Sequence, residues 1–470
     1  MVQLPTTFTW GAATASFQIE GDRAGRGETV WDAFCRVPGA VLDGTDGDVT
    51  CDHVARYAED VEILADLGVD AYRFSVTWAR VQPTGRGDFS DAGMGFYDRL
   101  VDELLGVGIE PWLTLYHWDL PLELQHLGGW ASRRTVDSYV EYALGVQDAL
   151  GDRVKRWATH NEPWCAAWLG HGGGIHAPGI RDHALATRAT HHLLLSHGRA
   201  VAAMREVDDE AAYGIVLNLD NVRATDDEQV TRDAAQAHDG VRNRVWLDAL
   251  AGRGYPEDTL QLLAPHLEGA VVEGDMEQIA TPVDFLGLNY YNDALLEASD
   301  GRRPTAELVQ PGMELVREAD PGQGATAMGW PVTPEGFTDI IRRTLTEYPE
   351  LGPVYVTENG SAWEDDPTPA PDGVIEDTPR VAYLHAHLDA LAAARAEGLD
   401  VRGYFAWSLL DNFEWALGLS KRFGLVRVDF ETQQRTPKRS YHAYREAIAA
   451  DKAADTAAGT TGADATAQQG

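Results

Sequence analysis

Short hydrophobic patterns alternate with helical patterns along nearly the whole chain, and this alternation is the strongest constraint on its fold. The hydrophobic runs are rich in β-branched and aromatic residues, as in Val354–Thr357, which is typical of buried strands. The segments between them repeat apolar residues at helical spacing, as in Phe96–Leu105, and often stop at glycine. Strands that alternate with helices form parallel sheets. Eight such repeats predict an α/β fold, a single (β/α)8 TIM barrel with long βα loops at its C-terminal face.

Two of the predicted strands end in a glutamate that is followed or preceded by turn-forming residues. One reads Val-Tyr-Val-Thr-Glu-Asn-Gly and ends at Glu358; the other reads Trp-Ala-Thr-His-Asn-Glu-Pro and ends at Glu162. Taken alone, a strand-end glutamate is explained equally well by a side chain that turns into solvent. In a barrel, however, the strand ends meet at one face. Two carboxyl groups there supply the proton donor and the nucleophile or base that glycosidic bond cleavage needs.

The charge balance excludes several other classes of protein. The 470 residues carry 74 acidic and 38 basic side chains, which gives a formal net charge of −36. Phosphate recognition needs a basic surface, so we expect no nucleic-acid partner, and anionic membranes are disfavoured for the same reason. The chain contains no apolar run of membrane-spanning length.

The cysteines and the N-terminal residues bear on where the protein works. Cys35, Cys51 and Cys165 are too few and too scattered for a disulfide framework, which fits a reducing compartment. Cys165 follows Glu162 by three residues, and we interpret it as a packing residue. The first residues have neither the basic segment nor the apolar core of a signal peptide, so the expected location is the cytoplasm.

The segments Thr159–Pro163 and Thr357–Gly360 resemble the two signature motifs of glycoside hydrolase family one, the β-glucosidase family. The resemblance extends from about Phe8 to Tyr444. It implies a retaining exo-β-glycosidase in which Glu358 is the nucleophile and Glu162 the acid/base. The implied substrates are terminal β-D-glucosyl residues of cello-oligosaccharides and of aryl or alkyl β-glucosides, with possible galacto and fuco tolerance and no cofactor.

The same resemblance implies the residues that surround the sugar. Arg73 and Tyr291 would support the nucleophile, although Arg73 could instead pair with a structural aspartate. Gln18 and His117, read alone, are more often structural residues, and Trp330 could equally be a packing anchor. The implied substrate-binding set is Gln18, His117, Trp118, Asn161, Asn289, Tyr291, Trp330, Trp407, Glu414, Trp415 and Phe423. The histidine spacing supports no metal site.

Several alternatives stay open at this stage. A transglycosylase would share every residue named above, whereas a non-catalytic sugar-binding relative would lack one of the two glutamates. A 6-phospho-β-glycosidase needs cationic or neutral hydrogen-bond donors near the sugar 6-position. Lys421 and Arg422 are candidates for that role, but we expect Glu414 to present a fixed negative charge there. Glycone preference and oligomeric state, including a possible homo-oligomer, are left open.

The end of the chain differs in composition from the rest. Beyond Ala450 it consists mainly of Ala, Thr, Gly, Asp and Gln, with no Leu, Ile, Val or aromatic residue. Such a segment cannot bury an apolar core. We therefore predict a catalytic barrel over residues 1–450 and a disordered tail over residues 451–470.

Overall fold

The computed structural model describes residues 7–320, 322 and 324–467. Eight parallel strands close into a barrel in sequence order, with the last strand hydrogen-bonded to the first, so the predicted fold is confirmed. The strands are β1 (Thr9–Ala13), β2 (Ala71–Ser75), β3 (Glu110–Tyr116), β4 (Arg156–Asn161), β5 (Ala212–Asn218), β6 (Phe285–Asn289), β7 (Val354–Asn359) and β8 (Val401–Trp407).

Helices follow the strands and surround the barrel. The principal α-helices are His53–Leu67, Asp91–Gly106, Arg133–Leu150, His183–Val207, Gln229–Asp239, Glu257–Leu267, Pro334–Glu347, Thr378–Ala396 and Arg439–Ala467. Shorter α-helices are Ser16–Ile19, Val30–Cys35, Trp78–Val81, Leu122–His126, Val245–Leu250 and Asp275–Ile279. Two π-helical segments, Cys165–Gly172 and Gly240–Arg244, lie in the connections after β4 and β5. None of the helices in the described part of the chain has the length and apolar character that crossing a membrane requires.

The barrel interior is filled by side chains of complementary size. Trp112 of β3 packs against the rings of Phe285, Tyr355 and Phe405, at centroid distances of 5.3, 4.7 and 5.1 Å. The strands on the other side contribute small residues to the same cluster: Ala13, Ala71 and Ala212. Gly11 of β1 must lack a side chain because a Cβ there would overlap the ring of Phe405. The interior is therefore a packed core that supports a cavity at one end.

A small sheet lies in the connections on the C-terminal side, within a region that is rich in glycine, proline and charge. Its strands are Val222–Ala224, Ala294–Ala298 and Val316–Glu318. A second pair, Val426–Val428 and Arg435–Pro437, forms an antiparallel ladder. The long βα connections predicted from the sequence are thus present, and three of them, after β5, β6 and β8, contain strands that the sequence did not indicate.

The predicted boundary at residue 450 falls inside the final helix, which continues to Ala467. Asp451 accepts a hydrogen bond from the indole of Trp10 at 2.9 Å, and Lys452 pairs with Asp70 at 2.5 Å. The helix therefore passes the boundary while still attached to the barrel. The division into a barrel and a disordered tail stays a prediction, because residues 468–470 and the side chains after residue 454 lie outside the described structure.

Candidate active site

A cavity of about 840 Å³ opens at the carboxyl ends of the barrel strands, and both strand-end glutamates line it. Each glutamate follows an irregularity in its own strand. Between Val356 and Glu358 strand β7 advances by two residues, whereas the paired strand β6 advances by only one. Between Ala158 and Asn161 strand β4 advances by three residues, whereas the paired strand β5 advances by two. Such bulges re-aim side chains beside functional sites, and here they direct both carboxyl groups into the cavity.

Glu358, near the end of β7, is held by two buried donors. Arg73 donates to Oε1 at 2.6 Å, and the Tyr291 hydroxyl donates to Oε2 at 2.6 Å. Burial leaves the pKa of Glu358 above its ordinary value, while the charge of Arg73 and the hydrogen bond from Tyr291 oppose that increase. The predicted partnership of Arg73 with Glu358 is therefore present. A second Arg73 bond, from Nη2 to Asn161 Oδ1 at 2.7 Å, joins the nucleophile side of the cavity to β4.

Glu162 directly follows β4 and has a left-handed backbone with φ of 46°. A non-glycine residue adopts that conformation rarely, and usually where surrounding contacts impose it at a functional site. Asn289 donates to its Oε1 at 2.7 Å, and the Cys165 thiol lies 3.2 Å from its Oε2. Burial, followed by the nearby charge of Glu358, raises the pKa of Glu162 to about 7.

These two environments assign the charge and the proton to different carboxyl groups. Glu358 has a guanidinium in direct contact, so its ionised form is stabilised. Glu162 has only neutral groups in direct contact among the described residues and faces the charge of Glu358, so its carboxyl keeps its proton up to a higher pH than an ordinary glutamate. Paired carboxyls whose environments separate their pKa values are the pattern of an acid and a nucleophile or base.

Two further polar groups that line the cavity retain unused hydrogen-bonding atoms. His117 Nε2 is 3.0 Å from the Asn161 amide, whereas its Nδ1 has no partner among the described residues. Burial and the charge of Arg73 hold the pKa of His117 well below its usual value, so the ring is neutral. Oε2 of Glu414 likewise has no partner within the described part of the chain. Both groups are available to sugar hydroxyls.

The charge expected on Glu414 differs from what the structure indicates. Burial, together with the charges of Glu358 and Glu162, raises the pKa of Glu414 to about 8. This raised pKa favours the protonated form of Glu414 near neutral pH, in contrast to the fixed negative charge expected from the sequence. The reason is that Glu414 shares one cavity with Glu162 and Glu358, which a strand-by-strand interpretation of the sequence does not reveal.

Aromatic side chains form two parts of the wall. Trp118 and Trp415 lie with ring centroids 4.6 Å apart, and Trp407 stacks on the imidazole of His117 at 5.9 Å. Trp118 and Trp415 also have left-handed backbones, with φ of 77° and 50°. Flat apolar surfaces of this kind suit the C–H faces of a pyranose.

The second aromatic group lies nearer the entrance. Trp330 packs against Tyr291 at 5.5 Å and against Phe423 at 6.2 Å, and all three line the cavity. Trp330 thus packs against neighbouring rings and also faces the cavity. Its two interpretations from the sequence, a packing anchor and a substrate contact, are therefore compatible.

Gln18 is the predicted substrate contact that does not line the cavity. It is fully buried, and its amide nitrogen donates to Asn412 Oδ1 at 2.9 Å and to the carbonyl of Phe413 at 2.8 Å. Its Oε1 has no partner among the described residues. The structure places Gln18 directly behind the segment that carries Glu414, and its contact with a sugar stays a prediction.

Three residues near Glu162 were not identified from the sequence as site residues. Cys165 contacts the Glu162 carboxyl directly, so it does more than pack. Asn218, at the end of β5, donates to the Cys165 sulfur at 3.2 Å. Arg242 stacks over the ring of Trp164 at 3.9 Å, and its charge lowers the pKa of Glu162. A polar residue at the end of β5 was the available signal for Asn218, whereas nothing in the local sequence marks Arg242.

Fold and site together define a (β/α)8 barrel whose cavity holds two buried glutamates in unequal surroundings, the raw material for an acid and a nucleophile or base. Comparison with known proteins identifies the family: the model of glycosyl hydrolase family 1 matches residues 1–453. The chain belongs to that family and is a glycosyl hydrolase.

Individual relatives are similar over nearly their whole length. A "1,4-beta-D-glucan glucohydrolase" of Thermotoga neapolitana is 40% identical over 451 residues, covering 95% of this chain and 98% of the relative. A "bifunctional beta-D-glucosidase/beta-D-fucosidase" of Bifidobacterium breve is 43% identical over 460 residues, with coverage of 95% and 98%. The crystal structure of a psychrophilic beta-glucosidase from Micrococcus antarcticus superposes with a TM-score of 0.89 at 44% identity, covering 95% of this chain and 97% of that one.

Proposed function

We propose that the enzyme is a retaining exo-β-glucosidase that hydrolyses terminal β-D-glucosyl residues by double displacement. The observation that carries the proposal is the unequal environment of the two carboxyls. Glu358 is held by Arg73 and Tyr291, whereas burial and the charge of Glu358 raise the pKa of Glu162. The first is suited to attack as an anion and the second to donate a proton.

The two half-reactions use these carboxyls in turn. In the first, Glu358 attacks the anomeric carbon while Glu162 gives its proton to the departing glycosidic oxygen, which leaves a glycosyl ester on Glu358. The charge of Glu358 is then lost, so the pKa of Glu162 falls and its carboxylate becomes a competent base. In the second, Glu162 takes a proton from water, the water oxygen attacks the anomeric carbon, and the ester bond to Glu358 breaks.

We further propose that the glycone lies between the aromatic wall and the polar side of the cavity. Trp407 and Trp415 would cover the sugar's C–H face, while His117 and Glu414 would bond to its hydroxyls through their unpartnered atoms. Asn161, Asn289 and Trp118 line the same region, and Gln18 would complete it from behind the wall. Trp330 and Phe423 would contact the aglycone near the entrance.

The substrate class rests on cavity size and on the relatives. A cavity of about 840 Å³ exceeds what one sugar ring fills, which suits cello-oligosaccharides as well as aryl and alkyl glucosides. The relative named for both glucosidase and fucosidase activity supports tolerance at the glycone. The three unpaired cysteines suit a reducing compartment, consistent with a cytoplasmic enzyme.

Removal of the nucleophile tests the proposal. Glu358→Ala should lose at least about 10⁴-fold in turnover, because covalent catalysis disappears. Added azide should restore part of the activity and yield the α-configured glucosyl azide, since azide enters from the vacated face. Glu364→Ala, at an exposed glutamate in the same connection, is the matched control and should keep normal turnover. Ordinary turnover in Glu358→Ala, or a β-configured azide product, would refute the assignment.

A further inference from the structure

Cys165 is a buried cysteine that touches the candidate acid/base directly. It begins the π-helical segment after β4, and its backbone N–H donates to the carbonyl of Glu162 at 2.9 Å. Its sulfur lies 3.2 Å from Oε2 of Glu162 and 3.2 Å from the amide nitrogen of Asn218. The thiol therefore lies between the end of β5 and the Glu162 carboxyl.

The chemistry of the three groups fixes the direction of these hydrogen bonds. The amide nitrogen of Asn218 can only donate, so the Cys165 sulfur accepts from it. The thiol hydrogen is then directed to Oε2 of Glu162. Burial, and after it the charge of Glu162, raises the pKa of Cys165 well above its ordinary value, so the thiol keeps its hydrogen.

The ionised form of Glu162 consequently has a donor at each oxygen. Asn289 serves Oε1 at 2.7 Å, and Cys165 serves Oε2. The two donors come from different elements, one at the end of β6 and one in the π-helical segment. Together they fix the plane of a carboxyl group whose backbone is itself in a left-handed conformation.

Other charged and titratable groups also act on Glu162. Glu358 faces it across the cavity with Arg73 and Tyr291 bound, and Glu414 shares the same cavity. Arg242 also lines this cavity, and its charge lowers the pKa of both Glu162 and Cys165.

Arg242 is itself held in place. It pairs with Asp220 at 3.0 Å, and Asp220 also contacts His238 at 3.1 Å. These groups determine the electrostatic surroundings of the thiol, and within the described part of the chain none of them hydrogen-bonds to Oε2 as Cys165 does.

We propose that Cys165, held by Asn218, is a positioning residue that orients the Glu162 carboxyl and stabilises its ionised form. The inference rests on the proposed function of Glu162 as acid/base. A packing cysteine would contribute only to stability, whereas a positioning cysteine alters how Glu162 titrates and how well it acts as a base.

The test is the pH profile of Cys165→Ala. Loss of a donor to a charged group should raise the pKa of the basic limb of kcat/KM by about 0.7 unit, which corresponds to a roughly fivefold weaker stabilisation of the carboxylate. The substrate should be an alkyl or methoxyphenyl glucoside, whose leaving group needs the proton. Cys165→Ser should restore the basic limb toward that of the unmodified enzyme, because a hydroxyl also donates.

A second readout separates the two half-reactions. With dinitrophenyl glucoside, departure needs no proton, so kcat/KM of Cys165→Ala should be unchanged. Its kcat should fall about fivefold because the base that activates water is less well oriented. Asn218→Ala keeps the Cys165 thiol but removes the hydrogen bond that holds it. This variant should raise the pKa of the basic limb as well, by a smaller amount. Asn218→Ala also provides the test of the proposal if Cys165→Ala does not fold.

Cys51→Ala is the matched control for loss of a buried thiol. Cys51 is also fully enclosed, and its thiol donates to the carbonyl of Asp411 at 3.0 Å, away from Glu162. It should lower the melting temperature without moving the basic limb. An unshifted basic limb in both Cys165→Ala and Asn218→Ala, or the same shift in Cys51→Ala, would overturn the proposal. If Glu162→Ala itself shows no dependence on the leaving group, the proposed function of Glu162 fails instead.

Discussion

Arg73 on β2 donates to Oε1 of Glu358 on β7 at 2.6 Å, and both side chains are 2% exposed. This buried ion pair stabilises the negative charge of Glu358 where burial alone would remove it. That charge in turn contributes to the raised pKa of Glu162, so the two carboxyls titrate as a linked pair.

The linkage predicts how Glu162 responds to loss of the opposing charge. In Glu358→Gln the pKa of Glu162 should fall from about 7 by roughly one unit or more, because the repulsion that disfavours its carboxylate is gone. Titration of the ¹³C-labelled carboxyl by NMR measures this directly. In the unmodified enzyme the same group sets the basic limb of activity, since a proton donor is lost as pH rises through its pKa. An unchanged Glu162 pKa in Glu358→Gln would contradict the linkage.

The acid/base role predicts a dependence on the leaving group. Glu162→Ala should lose most activity on cellobiose, whose departing alcohol needs a proton, and far less in the first step on dinitrophenyl glucoside. The latter should show a burst of dinitrophenol followed by slow turnover, because the glycosyl ester forms but is hydrolysed without a base. Stopped-flow absorbance measures the burst. Equal losses on both substrates would assign Glu162 another task.

Substrates phosphorylated at the sugar 6-position should be rejected. The structure indicates a different cause from the fixed charge of Glu414 that the sequence suggested. The raised pKa of Glu414 favours its protonated form, so fixed repulsion is not the main cause. The two nearby cations are already engaged: Lys421 donates to the carbonyl of Ala327 at 2.7 Å, and Arg422 pairs with Asp411 at 3.1 Å. A phosphate dianion would therefore enter a cavity that Glu162, Glu358 and Glu414 line, and neither of these two cations would be available to it.

We expect nitrophenyl β-glucoside to exceed its 6-phosphate by at least about 100-fold in kcat/KM, since the phosphate also displaces hydroxyl contacts. Glu414→Ser should narrow the gap, mainly by weakening the unphosphorylated substrate. Parallel rate measurements on both substrates provide the check. Comparable rates in the unmodified enzyme would contradict the view of Glu414 as a hydroxyl acceptor.

The barrel and the paired glutamates could be predicted because their signals are local. Each strand pattern is short and bounded, and each glutamate stands at a strand end, where barrel geometry collects side chains. An ion pair of Arg73 with a carboxylate could also be predicted, because a charged side chain inside a buried strand requires a partner.

The surroundings of Glu162 could not be predicted in the same way. Nothing in the local sequence distinguishes Cys165 from a packing cysteine, because its hydrogen bond from Asn218 depends on a different strand. Arg242 lies in a π-helical segment far from Glu162 in sequence, and its effect depends on stacking over Trp164. The raised pKa of Glu414 likewise depends on the number of carboxyl groups that share one cavity, which only the folded chain determines.

The stereochemistry of the first product tests the central claim most directly. Hydrolysis of a β-glucoside in an NMR tube reports the anomer released before mutarotation sets in. Two successive displacements at the anomeric carbon, the first by Glu358 and the second by water, should release β-glucose first. Release of α-glucose as the first product would mean a single displacement by water and would contradict the assignment of Glu358 as nucleophile.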